Sequence, residues 1–408
     1  MIAAAGAVRS RGAVALLVVA IVAVALNQRP AVVAVAPVLG DLRADTGLTS
    51  ALAGLLTTLP VLCFGAFAPV APRLARRIGL ETAVAASLVL LTAGISLRLL
   101  PPVALLYAGS LIAGAAIAIA NVLMPAYVKR EFARPGAVMG AYSAALNIGA
   151  AAAAGLTVPI GTALGGDWRV ALASWGVLAL AALALWLPVA GGRGLRSAPD
   201  DSGSWSLLRE PLARQVTAFL GLQSVQFYSV SAWLPTLLAD AGVPVREGGL
   251  LLAVSNVAGA AGALLVPGLA GRMRTQRPLV LAVLAAYVVG LTGLWSTPGS
   301  GALIWVALFG LAQGSGFALA LTLIVLRSAT PLVAARLGGV AQCVGYLVAA
   351  TGPVVLGALH DLTDGWHWPV GLLLVVLAPM TWAGWGAARD AVLDPDGALD
   401  QVGTASRR

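Results

Sequence analysis

The sequence predicts an all-α polytopic membrane protein with twelve transmembrane helices in two six-helix halves related by a parallel repeat. Three observations carry that prediction. Only 10% of the 408 residues are charged and 60% are hydrophobic, whereas soluble domains carry roughly 25% charged residues. Apolar runs recur from end to end, each long enough to cross a hydrocarbon core of about 30 Å as a helix. The second half of the chain also echoes the first at a fixed offset of 195 residues.

The predicted spans are, in order, about 12–38, 50–71, 82–100, 103–127, 137–161 and 170–188. They are followed by 215–238, 248–269, 278–296, 302–326, 337–359 and 368–387. The first run begins behind charged residues, as a signal peptide does, but no clear cleavage site follows its apolar part and the span continues past Arg29. After the sixth span comes the longest polar stretch, about 189–214, rich in Gly, Ser, Pro and charge. The expected organisation is therefore a half at 1–188, a cytoplasmic linker at 189–214, a half at 215–387 and a disordered tail at 388–408. At the repeat offset, Gly54-Leu55-Leu56 overlies Gly249-Leu250-Leu251, Pro72-x-Leu74-Ala75-x-Arg77 overlies Pro267-x-Leu269-Ala270-x-Arg272, and Gln28 overlies Gln223.

The net charge of +9 is a topology signal and not a nucleic-acid footprint. With an even number of spans, twenty Lys and Arg fall on the side of both termini and four (Arg43, Arg98, Arg169, Arg246) on the other. The positive-inside rule puts the termini in the cytoplasm, and the expected location is the plasma (inner) membrane. Cys63 and Cys343 lie inside spans and read as small buried hydrophobes. No metal, cofactor or nucleic-acid partner is expected; the expected partners are a small-molecule solute and the bilayer, and the chain is expected to act as a monomer.

Arg29 is the costly residue. A guanidinium stays charged at physiological pH, and a charge at membrane depth costs at least ~2.5 kcal/mol on insertion scales. No Asp or Glu lies inside another apolar run to pair with it. Snorkelling to the headgroups is the plain alternative, but further apolar residues follow before Asp41, and Pro30 removes a backbone donor beside the charge. Asn27 and Arg29 stand about 200° apart on an ideal helix, so Asn27 is expected to pack on a neighbouring helix while Arg29 faces a cavity.

Uncharged polar residues complete the candidate site: Asn121, Asn147, Gln223, Gln226, Asn256, Gln313, Gln342 and Tyr346. Each alone reads as a helix–helix hydrogen bond as readily as a ligand. Gly310-x-x-x-Gly314 in the tenth span and the glycine series of the fifth read as a rocking surface between halves. His360 and His367 are expected in a solvated outer loop.

At this level the chain resembles the major facilitator superfamily over nearly its whole length. Its second-span loop, Pro72-Arg73-Leu74-Ala75-Arg76-Arg77-Ile78-Gly79-Leu80-Glu81, keeps Arg77 and Gly79 of the family pattern. Arg76 replaces the family's Asp, so a charge latch built on that Asp is not carried over. The resemblance marks Arg73, Arg77, Gly79 and Arg272 as gating and loop residues, and implies the major facilitator fold with alternating access. Asn27-x-Arg29-Pro30, Gly54-Leu55-Leu56-Thr57-Thr58-Leu59-Pro60 and Ala232-Trp233-Leu234-Pro235 look like the cyanate and nitroimidazole transporter branch. The expected activity is transport of a small polar or anionic solute. An unpaired arginine favours an anion, while a proton-coupled exporter of cationic drugs generally needs an intramembrane carboxylate. The rival readings are an exporter of drugs or metabolites in which Arg29 is structural, and a membrane-embedded enzyme or sensor. Against the last, the sequence carries no zinc motif, nucleophile elbow or phosphate loop.

Overall fold

The computed structural model describes residues 11–48, 50–190, 205–394 and 399–400. Residues 191–204, most of the expected linker, and the extreme termini lie outside the described residues. Fifteen α-helices are described, and several combine into one span. The first span is α1 (Arg11–Asn27) with α2 (Pro30–Val33) and a 3-10 turn at Ala36–Val38, and the charged α3 (Leu39–Thr46) follows it outside the span. The second is α4 (Ser50–Phe67) with α5 (Val70–Ile78). Then follow α6 (Leu80–Leu97), α7 (Val103–Glu131), α8 (Gly136–Ala163) and α9 (Trp168–Ala190). The remaining six are α10 (Pro211–Asp240), α11 (Val245–Ala270), α12 (Arg277–Ser296), α13 (Ala302–Leu326), α14 (Pro331–Thr363) and α15 (His367–Ala387).

Ten described helices are long and apolar enough to cross a membrane, and the α4–α5 pair makes eleven. The twelfth is α10, which at 30 residues is ~45 Å long. Gln223, Ser224, Gln226 and Ser229 dilute its apolar character, and all four are buried among other helices.

The packing repeats. α1 packs on α8 and α9, α4 on α7, and α6 on α7 and α9. Six spans later α10 packs on α14 and α15, α11 on α13, and α12 on α13 and α15. The two sets meet where α8 lies on α11 and α14 on α4. At the end where α1 begins and α15 leaves, here termed the basic end, Arg73, Arg77, Arg272 and Arg274 are exposed. Near that end α8 and α11 touch closely, because a Cβ on Gly136 or Gly140 would strike the carbonyl oxygens of Pro267 and Leu264.

Several expectations are corrected. The segment after the second span is a helix, α5, bent 58° from α4 at Ala68-Pro69, because Pro69 and Pro72 remove backbone donors there. The turn itself is Gly79, with φ +88°, a value that a side chain disfavours. Gly310 and Gly314 do not form the rocking surface. They let α13 lie against Ser255 and Gly259 of α11, both in the second six spans. His360 lies within α14, its ring 4.4 Å from that of Trp366. Residues 388–394 of the expected disordered tail are docked. Arg327, pushed down to about 10 by burial, donates to the carbonyls of Ala387 and Ala391 at 3.0 and 3.3 Å and to Gln276. Short strands β1 (Val392–Leu393) and β2 (Leu399–Asp400) pair beside it.

A charge latch exists without the missing Asp. Glu81, buried at the start of α6, pairs with Arg130 at the end of α7, and Arg130 also holds Glu131 at 2.7 Å. At the opposite end Asp45 pairs with Arg169 at 2.5 Å and accepts from the Trp168 indole at 3.2 Å.

Two predictions follow from this packing. Gly314→Val forces a branched side chain against the Gly259 backbone and should destabilise the protein by ~1–3 kcal/mol, read as a lower Tm in detergent. The hydrogen bond from Arg169, then that from Trp168, holds the Asp45 carboxyl below the usual range. Its stabilisation is therefore present above the ordinary value of ~3.9 and disappears as pH falls through the lowered native value. The Tm difference between wild type and Asp45→Asn should be present at neutral pH and shrink to nothing across that acidic window.

Candidate functional site

The site begins with a broken helix. Pro30 has no N–H to give the Leu26 carbonyl one turn back, so α1 ends at Asn27 and the chain turns through Gln28 and Arg29 before α2. The Leu26 carbonyl lies against Gly149 of α8, where any Cβ would collide with it. The Ala31 carbonyl accepts from Arg98 Nη1 at 2.6 Å. Arg98, counted on the side opposite the termini, is fully buried at the end of α6. Beside the break the Ala31 carbonyl thus has a donor from another helix, as low dielectric favours.

This turn aims Arg29 into the interior. Its Nη1 donates to Asn147 Oδ1 at 3.1 Å. Its guanidinium carbon lies 4.7 Å from the Phe227 ring centroid and 5.3 Å from that of Phe317. Those rings come from α10 and α13, so one cation from the first span touches both sets of six helices. Among the described residues no carboxylate pairs with Arg29.

Beside it lies a small cavity of about 50 Å³. Gln28, Arg29 and Asn121 supply its polar wall, and Phe64, Tyr228 and Tyr346 much of its aromatic wall. Tyr346 stacks edge-on to Phe64 with centroids 5.4 Å apart, and to Tyr228 at 6.3 Å. The buried Tyr142 hydroxyl lies 3.1 Å from Gln28 Oε1 and 3.2 Å from Asn121 Oδ1. It donates to one amide at a time, and Gln28 Nε2 is left buried without a partner among the described residues.

Of the residues the sequence singled out, Arg29, Asn121 and Tyr346 line this cavity. Asn147 holds Arg29 from behind, and Gln342 donates to the Asn121 carbonyl at 3.2 Å. The others point elsewhere. Gln226 donates to the Leu373 carbonyl of α15 at 2.7 Å, Gln223 to Ser224 at 2.8 Å, and Asn256 to Leu252 of its own helix at 3.0 Å. Gln313 is buried on α13 outside the cavity lining. Arg73, Arg77, Gly79 and Arg272 sit at the basic end, away from it. Asn27 donates to Leu178 of α9 at 3.1 Å, as the angular argument expects.

The sequence reading passed over Gln28, which shares the cavity wall because the turn at 28–29 departs from the ideal helix on which facing was judged. It also passed over Phe64, Phe227 and Phe317, which in an apolar run look like any other core residue.

With this geometry in place, comparison with known proteins assigns a class. The profile of the Major Facilitator Superfamily matches residues 15–353, and the chain belongs to that family of transporters. Its sequence is 40% identical over 377 residues to the uncharacterised transporter YycB of Bacillus subtilis, covering 92% of this chain and 94% of that protein. It is 38% identical over 385 residues to the 2-nitroimidazole transporter of Escherichia coli, covering 92% and 95%. Against the cyanate transport protein CynX of the same organism it is 32% identical over 367 residues, covering 88% and 95%. The fold superposes on a major facilitator transporter, FucP, in the outward conformation. The TM-score is 0.71 at 13% identity, with 91% and 99% of the two chains covered.

A paired substitution tests the wall. Asn147→Leu strips Arg29 of its side-chain acceptor and should lower stability by ~1–3 kcal/mol, whereas Gln28→Leu removes a donor that has no partner, leaves Tyr142 its Asn121 acceptor, and should leave Tm unchanged or raised. Thermal unfolding of the two purified variants checks the contrast.

Proposed function

We propose that this chain is a secondary transporter that binds a small, planar, anionic or oxygen-rich solute against Arg29 and carries it across the membrane by alternating access. The observation that carries this reading is Arg29 itself, a permanent charge on a cavity wall without a carboxylate partner among the described residues. A negative or nitro oxygen supplies the missing acceptor, and the guanidinium fork suits it geometrically. Gln28 Nε2 and Asn121 add donors on the same wall.

The rings sharpen the class. Each stacked or edge-on aromatic contact adds ~0.5–1.5 kcal/mol beyond area burial, which favours a flat heterocycle over a bare linear anion. The names of two relatives, a 2-nitroimidazole transporter and a cyanate transport protein, span this same range. Arg29, Gln28, Asn121 and Tyr346 touch the solute in this reading. Asn147 and Gln342 position them, while Gln226 ties α10 to α15 and Gln223, Gln313 and Asn256 stand away from the solute. By the positive-inside rule the basic end is cytoplasmic, so the close approach of α8 to α11 closes the cytoplasmic side. Arg73, Arg77, Gly79 and Arg272 belong to the part that moves when it opens. The chain works as a monomer in the plasma membrane and changes no bond in its solute.

Flux of labelled 2-nitroimidazole and of cyanate into proteoliposomes tests the proposal. Losing a charged hydrogen bond of ~1.5–3 kcal/mol should cut flux more than tenfold in Arg29→Gln, with Tm and elution profile retained. Full flux in that variant would overturn the proposal and leave Arg29 a structural residue.

A further inference from the structure

A second cleft of about 370 Å³ opens between α10 and α14, away from the Arg29 cavity. Gly221 and Gly345 form its floor, where the helices approach so closely that a Cβ on Gly221 would lie 3.0 Å from the Gly345 Cα. Leu222, Val344 and Val348 form its apolar walls, and Val348 is 42% exposed, so the cleft opens sideways.

Its polarity is ordered along the membrane normal. Arg214 stands exposed at the mouth, with Nη1 donating to the carbonyls of Leu208 and Arg209 at 3.1 and 2.7 Å. That contact fixes the guanidinium over the 3-10 turn Trp205–Arg209. Among the described residues no carboxylate pairs with it. Thr217, one turn deeper on the same face, is 5% exposed, and its hydroxyl has no hydrogen-bond partner among the described residues. Helical threonines ordinarily return their hydroxyl to the carbonyl four residues back, as Thr92, Thr157, Thr322 and Thr381 all do here. Below Thr217 the lining is wholly apolar. From Arg214 to Leu222 the helix rises ~12 Å, close to the ~15 Å of one leaflet of the hydrocarbon core.

We propose that this cleft is a binding site for one anionic phospholipid of the leaflet at the basic end. Arg214 takes the phosphate, Thr217 donates to an ester carbonyl, and an acyl chain lies along Ala218, Leu222, Val344 and Val348. Cation, hydroxyl and apolar wall follow one another in the order that phosphate, ester and chain follow in the lipid. A soluble phosphate would meet only the first of the three.

The test uses the purified full-length chain, titrated with phosphatidylglycerol, phosphatidylcholine or glycerol 3-phosphate. Bound lipid is read by native mass spectrometry and stability by Tm. Phosphatidylglycerol should bind at one molecule per chain and raise Tm, with about fivefold preference over phosphatidylcholine, as expected for one basic residue at a charged interface. Arg214→Gln should abolish the preference, and Thr217→Val should weaken retention of both lipids. Val344→Phe, which fills the cleft and leaves Arg214 in place, should abolish retention. Equal retention of the two lipids by the wild type would overturn the proposal without reference to any variant. So would unchanged preference in Arg214→Gln, or equal stabilisation by glycerol 3-phosphate, which would mark a soluble-phosphate site.

Discussion

The burial of one guanidinium organises the interior of this protein. Placing Arg29 at membrane depth costs at least ~2.5 kcal/mol. Two ring contacts of ~0.5–2 kcal/mol each and a hydrogen bond to Asn147 are together of the same order. The offset is partial by construction, because Asn147 is a neutral acceptor and Phe227 and Phe317 present only ring faces. A charge held this way is tolerated without being neutralised, and it keeps its affinity for an arriving acceptor. Because its partners come from α8, α10 and α13, the same contact joins the first span to helices of the second set. Arg29 thereby sits at the seam between the two sets.

Backbone chemistry sets where that charge points. A continuous helix through residues 26–34 would keep every carbonyl engaged and leave Gln28 and Arg29 on different faces. Pro30 breaks the ladder, and two distant residues accommodate the consequences: Gly149 by having no side chain, and Arg98 by donating to Ala31. Both lie far from Pro30 in sequence, and each is explained by a carbonyl near the break.

Charge elsewhere is organised at the ends. Glu81 and Arg130 join α6 to α7 at one end, and Asp45 and Arg169 join α3 to α9 at the other. The first pair shows that a latch between the third and fourth spans does not require an Asp at position 76. Arg327, which the topology count treats as one more solvated cation, instead anchors the start of the tail beneath α15. The tail holds because buried carbonyls at Ala387 and Ala391 need donors.

Much of the fold was legible in the sequence because the bilayer imposes a one-dimensional rule. Apolar length and basic asymmetry are local counts, and the repeat at 195 residues is a comparison of the chain with itself. The cost of Arg29 and the outward turn of Asn27 followed from one helix alone. What only the tertiary structure decided concerns meetings between helices. Gln223 and Gln226 carry the same chemical groups as Gln28 and Asn121, and nothing local separates a glutamine that bonds α15 from one that lines a cavity. Phe227 and Phe317 became partners of a cation only when α10 and α13 converged on the first span. Arg98 looked like a surface charge because its sequence neighbours end a span, yet the Ala31 carbonyl that holds it comes from another helix. Sequence fixes which groups are present and how far each can travel into the membrane; which of them face one another depends on crossing angles and helix breaks set by contacts across the whole chain.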